Sequence, residues 1–334
     1  MDLPANLCNG TVEEMKKLRR LGKSDIFVTP IGLGTWQFSG GRIANIGIWA
    51  TLGQEAVDEI VRSALENGIN WFDTAELYGF GKSEQLLSHA ILSAGRKPGD
   101  VVIATKWRPI LRTASSIVRT IDRRLDALSP FGIDLYQVHF PFMSFSTIEN
   151  QMEAMASLVH AGKIRAVGVS NFDPDQMRRA FDKLASMGVS LASNQVKYSL
   201  LDRRIESNGV LQTARELGVT IIAYSPLEMG LLTGKFHENA DLLRRTPFLR
   251  RRKLRKRLQE SRPVVEALRE IGNRHGATPA QVALGWIVGY HGDLVVAIPG
   301  ATKVRHAAES ARAMNLRLTD EEFSVLDRLT EKFK

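Results

Sequence analysis

Cysteine is nearly absent from this sequence, because Cys8 is the single one among 334 residues. A lone cysteine excludes an intrachain disulfide framework and agrees with a reducing compartment, so we expect a cytoplasmic protein. The seven histidines are scattered, with no HExxH or CxxC spacing beside them. The sequence therefore predicts no metal site.

Long apolar runs are also missing. No stretch of 18 apolar residues is present, and the N-terminus lacks the apolar core of a secretory signal. We therefore expect no membrane partner. Hydrophobic residues make up 44% of the chain and charged residues 24%, a composition that allows a large buried core. The predicted organisation is a tail over residues 1–15 and a single domain over residues 16–334.

Eight short, mostly β-branched runs predict eight strands. The runs end near Leu33, Phe72, Thr105, Val138, Val169, Asn194, Ala223 and Ile298. Nearly all their central residues are apolar, as in parallel strands that are buried on both faces. Amphipathic helical patterns separate them, for example at residues 148–160, 175–187, 206–217 and 279–289.

The spacing of these runs indicates the fold class. They end every 25 to 40 residues, apart from one gap of 75 residues before the last. Eight such units predict an α/β protein with a (β/α)8 TIM barrel and one enlarged loop at about residues 228–262. A doubly wound sheet is disfavoured because the first strand end lacks the GxGxxG spacing. Residues 17–29 predict a β-hairpin that turns at Gly22–Asp25 and closes the barrel floor.

Polar residues follow three neighbouring strands. Asp73, Lys106 and His139 end the second, third and fourth strands, and Tyr78 follows Asp73 by five residues. The C-terminal strand ends of a barrel meet on one face, so these side chains are expected to converge. A nearby ammonium lowers the pKa of a phenol, and Asp73 can keep Lys106 protonated. His139 can hydrogen-bond a substrate carbonyl.

This constellation predicts a pocket that donates a proton to a developing alkoxide. Such a pocket needs a hydride source that no side chain supplies, and a nicotinamide cofactor is the natural complement. Each residue also has a plainer interpretation. Lys106 and Asp73 can form a structural bridge across the barrel mouth, and a histidine at a strand end can satisfy a backbone group. Their joint placement at consecutive strand ends favours function.

Seven segments resemble the aldo-keto reductase superfamily: WFDTAELYG, IATKW, LYQVH, GKIRAVGVSN, NQVKYSLLDR, AYSPL and AIPGAT. They occur in the family's order, from about Lys17 to the C-terminus. The resemblance implies a (β/α)8 barrel that binds NADPH and reduces an aldehyde or ketone to the alcohol. It also implies a catalytic tetrad of Asp73, Tyr78, Lys106 and His139, in which Tyr78 is the general acid.

The resemblance further implies a set of cofactor contacts. Those around the nicotinamide and its carboxamide are Gly34, Thr35, Trp36, Asp73, Ser170, Asn171, Gln195 and the stacking aromatic Tyr224. Those along the diphosphate and the adenosine half are Ser225, Pro226, Leu227, Gly230, Ile298, Pro299, Gly300 and Ala301. Lys303 and Arg305 would hold the 2′-phosphate, and Glu309 the adenine. Ser310 stands where the family usually has Asn, which puts the adenine contact in question.

Three aromatic residues are candidates for the substrate wall. Trp107 directly follows Lys106, Phe142 lies three residues after His139, and Trp49 belongs to an unusual insert after the first strand. In this family, loops at that rim border the substrate.

The net charge of +9 comes almost entirely from one segment. Between Asp241 and Arg262, ten Lys or Arg residues stand against two acidic residues. We interpret this segment as a solvated, partly helical part of the loop that covers the cofactor, with some of its arginines near the phosphates. A surface for an anionic partner is a second interpretation, and nucleic acid binding is the weakest because no aromatic interleaving is present.

Two functions remain open at this stage. One is the reductase, and the other is a cofactor-sensing regulatory subunit resembling the potassium-channel β subunits, which keep the same tetrad. The complete tetrad favours turnover. Neither the physiological substrate nor the oligomeric state follows from the sequence.

Overall fold

The computed structural model describes residues 18–39 and 51–334. The tail predicted over residues 1–15 and the candidate Trp49 therefore lie outside the described residues. The strands are β1 (Arg19–Arg20), β2 (Phe27–Val28), β3 (Leu33–Gly34), β4 (Trp71–Asp73), β5 (Val102–Trp107), β6 (Leu135–Val138), β7 (Ala166–Ser170), β8 (Leu191–Lys197), β9 (Thr220–Tyr224) and β10 (Val295–Ile298). The predicted strand ends agree with β3 to β10.

Single helices follow most of the strands, and four helices lie between β9 and β10. They are α1 (Gln54–Glu66), α2 (Lys82–Ser93), α3 (Ser115–Leu128), α4 (Ile148–His160), α5 (Pro174–Ala185), α6 (Val210–Leu217), α7 (Lys235–Glu238), α8 (Ala240–Arg244), α9 (Phe248–His275), α10 (Pro279–Tyr290), α11 (Val304–Arg312) and α12 (Asp320–Thr330). Local sequence explains several starts. Asp173 and Thr278 each form a capping box, with Pro174 and Pro279 following at the first helical position.

Strands β3 to β10 form one parallel sheet in chain order. The Gly32 N–H donates to the Ala297 carbonyl at 2.9 Å and the Gly34 N–H to the Pro299 carbonyl at 3.0 Å. These bonds join β3 to β10 and close the sheet, which confirms the predicted (β/α)8 barrel. The main hydrophobic core lies between the strands and the surrounding helices. Closure of the sheet into a barrel brings the C-terminal ends of all eight strands to one face.

The predicted hairpin lies at the opposite end of the barrel. Strands β1 and β2 pair antiparallel, and the turn between them brings Gly22 against the barrel. The Gly22 N–H donates to Thr220 Oγ1 at 2.8 Å. A Cβ atom at Gly22 would lie 2.6 Å from the Ala192 carbonyl oxygen, so this close approach requires glycine. The hairpin fills the barrel floor with the buried side chains of Leu21, Ile26 and Val28.

The basic segment is more regular than the sequence analysis predicted. Residues 241–244 lie in helix α8, and residues 248–262 form the N-terminal half of the 28-residue helix α9. Arg, Lys, Leu, Gln and Glu are strong helix formers, and buried Leu254, Val264, Val265 and Leu268 dock the helix on the core. Across residues 18–39 and 51–334, no helix is long and apolar enough to cross a bilayer.

Candidate active site

A cavity of about 370 Å3 opens at the C-terminal strand ends. Most of the predicted site residues line it: Gly34, Thr35, Trp36, Asp73, Tyr78, His139, Ser170, Asn171, Gln195, Tyr224, Ser225, Pro226, Leu227, Gly230, Ile298, Pro299, Gly300 and Glu309. Lys106 lies directly behind Asp73. Ala301, Lys303 and Arg305 are not among the lining residues. The structure therefore gathers the predicted residues around one cleft.

Asp73 and Lys106 form a buried ion pair at the bottom of the cavity. Lys106 Nζ donates to Asp73 Oδ1 and, at 2.8 Å, to the Thr74 carbonyl. Asp73 Oδ2 accepts a bond from Gln137 Nε2 at 3.1 Å and one from Gln195 Nε2 at 2.8 Å. The carboxylate is thus held by a cation and two amides. Gln137 was not predicted, although it lies on β6 two positions before His139, which directly follows the strand, and so shares its side of the chain.

Tyr78 faces this ion pair. Lys106 Nζ lies 5.1 Å from the centroid of its ring. Burial raises the pKa of the Tyr78 phenol, and the negative charge of Asp73 raises it further. The expectation that the ammonium lowers this pKa is therefore wrong. The reason is that Asp73 neutralises the charge of Lys106, so burial dominates. The phenol keeps its proton at neutral pH.

His139 completes the group. Its ring meets the ring of Tyr78 edge to face, with centroids 5.8 Å apart, and stacks on Phe140 at 4.3 Å. Burial, together with the charge of Lys106, holds its pKa well below the usual range, so the imidazole is neutral. Only 7% of the residue is exposed, and Nδ1 has no hydrogen-bond partner among the described residues. A buried polar atom without a partner at a cavity wall is a place for a ligand atom.

A hydrogen-bonded row crosses one wall of the cavity. The Tyr224 hydroxyl donates to Asn171 Oδ1 at 3.0 Å, and Asn171 Nδ2 donates to Ser170 Oγ at the same distance. Ser170 Oγ in turn donates to the Gln195 carbonyl at 2.8 Å. These four predicted residues form one continuous wall, and their amide and hydroxyl groups suit a planar carboxamide.

Glycines shape the middle of the cavity. A Cβ atom on Gly300 would lie 2.2 Å from Gln37 Nε2, and one on Gly34 would lie 2.8 Å from the Ile298 carbonyl oxygen. Ser225, Glu228, Met229 and Gly230 all have φ values between 47° and 88°. The Glu228 and Gly230 N–H groups donate to the Ser225 and Leu227 carbonyls within this turn, and a Cβ atom on Gly230 would lie 3.3 Å from Lys235 Nζ and 3.6 Å from Arg250 Nη2. This part of the cavity fits a diphosphate.

Two cations line the far end of the cavity, Lys235 and Arg250. Lys235 was not predicted, whereas arginines of the basic segment, to which Arg250 belongs, were expected near the phosphates. Burial, aided by the charges of Arg250, Arg305 and Lys303, lowers the pKa of Lys235 to about 8. The same charges act on His306, whose pKa burial lowers to about 4. Nothing in the sequence distinguishes Arg250 from its basic neighbours. The way in which α9 docks on the barrel places Arg250 at the cavity. This end fits a phosphate group.

The three aromatic candidates have different positions. Trp107 is fully buried in the core that faces the helices, where its indole N–H donates to Ser116 Oγ at 3.1 Å. This placement removes Trp107 from the substrate wall. Phe142 is 55% exposed and stacks on Phe140 at 5.3 Å. Phe140 itself lines the cavity, which the sequence analysis did not foresee.

The sequence model of the Aldo/keto reductase family matches residues 30–331. This chain belongs to the aldo/keto reductase family. It is therefore an oxidoreductase that acts on carbonyl compounds.

This aldo-keto reductase is similar to several characterised enzymes. It is 34% identical to the chloroplastic pyridoxal reductase of Arabidopsis thaliana, over 88% of this chain and 81% of that protein. It is 30% identical to the NADH-specific methylglyoxal reductase of Escherichia coli strain K12, over 95% and 99%.

Solved structures agree with the fold. A thermostable aldo-keto reductase in complex with the inhibitor epalrestat aligns with a TM-score of 0.74 and 32% identity, covering 93% of this chain and 99% of that one. An aldo/keto reductase from Klebsiella pneumoniae in complex with NADP and acetate aligns with a TM-score of 0.72 and 28% identity, covering 94% and 95%.

Proposed function

We propose that this protein reduces an aldehyde or ketone to the alcohol with NADPH, and that Tyr78 is the general acid. The observation that carries the proposal is the division of the cavity. A proton donor, a neutral imidazole and a buried ion pair meet at one end, while cations meet at the other. A molecule with a redox-active ring at one end and phosphates at the other matches this division. A cytoplasmic location stays a prediction of the sequence.

The residues of this chain account for the cofactor's position. Ser170, Asn171 and Gln195 would hold the carboxamide, and the ring of Tyr224 would lie against the nicotinamide. The left-handed turn that contains Gly230 would contact the diphosphate. When bound, a reduced nicotinamide supplies the hydride.

Two side chains contact the carbonyl oxygen of the substrate, and two more support them. His139 donates a hydrogen bond to that oxygen and orients the substrate. The Tyr78 hydroxyl gives its proton to the oxygen as negative charge develops there. Lys106 stabilises the phenolate that remains, at the moment when that charge appears. Asp73 keeps Lys106 protonated and fixed. The pKa of Tyr78 is raised, so the phenol carries the proton that it would donate across the neutral range.

The cations predict the cofactor preference. Replacing both Lys303 and Arg305 by Ala should weaken the binding of NADPH roughly tenfold more than the binding of NADH, because only NADPH carries the 2′-phosphate.

Lys235→Met should weaken the binding of both cofactors by about tenfold to a hundredfold, since loss of a charged hydrogen bond costs about 1.5–3 kcal/mol. Lys235 Nζ would lie 3.3 Å from a Cβ atom on Gly230, beside the proposed diphosphate site. Fluorescence titration measures both affinities.

The pH dependence provides a control for this assignment. The pKa of Lys235 is about 8, so the side chain loses its charge as the pH rises through that value. Cofactor affinity should therefore fall above pH 8 in the wild-type protein, and Lys235→Met should lack this fall.

Equal losses of affinity for NADPH and NADH in the Lys303 and Arg305 variant would reject the 2′-phosphate assignment. The Escherichia coli relative is NADH-specific, so comparing the affinities for NADPH and NADH tests which of the two cofactors this protein prefers.

Phe140 predicts a preference for substrates with a ring. An aromatic contact contributes about 0.5–1.5 kcal/mol beyond the burial of its area, so Phe140→Ala should raise KM for 4-nitrobenzaldehyde roughly tenfold. The KM for methylglyoxal, which has no ring, should change little. Steady-state kinetics with both substrates measures the difference. If kcat falls equally for both substrates, Phe140 acts by supporting His139 and not as a substrate wall.

A further inference from the structure

The N-terminal half of α9 has an outer face that the cavity does not use. The helix turns Arg250 toward the cavity, while Arg257 Nη1 pairs with Glu228 Oε2 at 3.1 Å. Other cations of the same segment point to solvent. We call them, with two apolar neighbours, the basic face: Phe248, Leu249, Arg252, Lys253, Arg255, Lys256 and Arg262.

None of the five cations of the basic face forms an ion pair within the described part of the chain. Glu260 follows Lys256 by four residues but pairs instead with Arg257, whose Nε lies 4.0 Å from its carboxylate. The first turn of α9 contains no acidic residue. Cations near a helix N-terminus oppose the helix dipole, and like charges four residues apart, such as Arg252 and Lys256, repel. This arrangement costs helix stability, and an external anion would offset that cost.

Apolar side chains lie on the same side of the helix. Phe248 is 64% exposed and Leu249 is 47% exposed. Leu249 shares a stripe with Arg252, Lys253 and Lys256, which follow it by three, four and seven residues. Exposed hydrocarbon beside cations is typical of helices that lie in a membrane interface. A phosphate backbone would attract the cations but offers no hydrocarbon for Leu249.

We propose that the basic face docks this protein on a bilayer that contains anionic phospholipids. The cations attract the negatively charged headgroups, and Phe248 and Leu249 enter the boundary between headgroups and acyl chains. The protein binds peripherally, since none of the described helices can span a bilayer. The expectation of no membrane partner, which rested on the missing apolar runs, concerns insertion and not this mode of binding. The proposal is independent of the reductase activity.

Co-sedimentation of the full-length protein with lipid vesicles tests the proposal. We expect binding to vesicles of phosphatidylcholine mixed with phosphatidylserine. Binding to phosphatidylcholine alone should be at least about tenfold weaker, and added salt should release the protein from the mixed vesicles. Failure to bind the mixed vesicles would overturn the proposal. Retention on a DNA duplex or heparin without vesicle binding would also overturn it, in favour of a polyanion.

Two variants that lose the same number of positive charges separate the effect of the basic face from the effect of the protein's net charge. The test variant carries Arg252→Gln, Lys253→Gln, Arg255→Gln and Lys256→Gln. The control variant carries Arg96→Gln, Lys97→Gln, Arg119→Gln and Arg123→Gln, which lie elsewhere on the barrel and are equally exposed. We expect roughly a hundredfold loss of vesicle affinity in the test variant and little loss in the control. Equal losses in the two variants would overturn the proposal.

Two further readouts exclude misfolding and assess the apolar residues. The test variant removes repulsion within α9, so its thermal midpoint should not fall below that of the wild-type protein. Its carbonyl reductase activity without vesicles should equal the wild-type activity. Replacing Phe248 and Leu249 by Ser should weaken vesicle binding about tenfold and leave its salt dependence unchanged. Undiminished binding in that variant would overturn the insertion of these side chains.

Discussion

Tyr78→Phe is expected to lower kcat severely while leaving NADPH affinity unchanged. The substitution removes one hydroxyl and keeps the ring, whose face lies 5.1 Å from Lys106 Nζ and whose edge meets His139. General acid catalysis typically contributes about 10^2–10^4 in rate, and that factor should be lost from kcat. NADPH oxidation with 4-nitrobenzaldehyde measures turnover, and fluorescence titration of the same preparation measures binding.

Tyr136→Phe is the matched control for this experiment. Tyr136 is fully buried in strand β6, and its hydroxyl has no partner among the described residues. Removing that hydroxyl should leave both kcat and NADPH affinity unchanged, because no bond is lost. Equal rates for Tyr78→Phe and the wild-type protein would remove Tyr78 from the acid role. A wild-type protein that binds NADPH but turns over no carbonyl would instead favour the cofactor-sensing regulatory subunit.

The direction of the Tyr78 shift shows what the sequence could and could not predict. The strand ends located Asp73, Lys106 and His139, and the barrel topology then required them to meet. The pKa depends on a sum of nearby charges and on burial, which residue spacing does not contain. In the structure, Asp73 cancels the charge of Lys106, and burial then keeps the phenol protonated. Tyr78 therefore stays protonated at neutral pH, as the proposed acid role requires.

Trp107 shows an error that the sequence itself could have prevented. Neighbouring residues in a strand point to opposite faces, so Trp107 must face the helices if Lys106 faces the barrel interior. The same alternation would have found Gln137, two positions before His139. Arg250 is a different case. The basic run contains many equivalent cations, and only the docking of α9 through Leu254 decides which ones reach the cavity.

Lys106→Met is expected to destabilise the protein strongly as well as inactivate it. The substitution leaves Asp73 buried, with two amide hydrogen bonds and no cation. Removing one partner of a buried ion pair costs about 3–5 kcal/mol in the free energy of unfolding. The double variant with Asp73→Asn and Lys106→Met should recover most of this loss, because no charge remains uncompensated. Urea unfolding measures the three stabilities.

The double variant separates the structural role of this ion pair from its chemical role. It should stay inactive despite its recovered stability, because no ammonium remains to stabilise the Tyr78 phenolate, and one such group is typically worth about 10^2–10^3 in kcat. Lys163→Met is the control, since it breaks an exposed pair with Asp122, and exposed pairs contribute only about 0–1 kcal/mol. If Lys106→Met unfolds at the wild-type urea concentration, the buried pair does not hold the barrel mouth together. If the double variant regains turnover, Lys106 acts through stability alone, and the proposed proton transfer needs no ammonium.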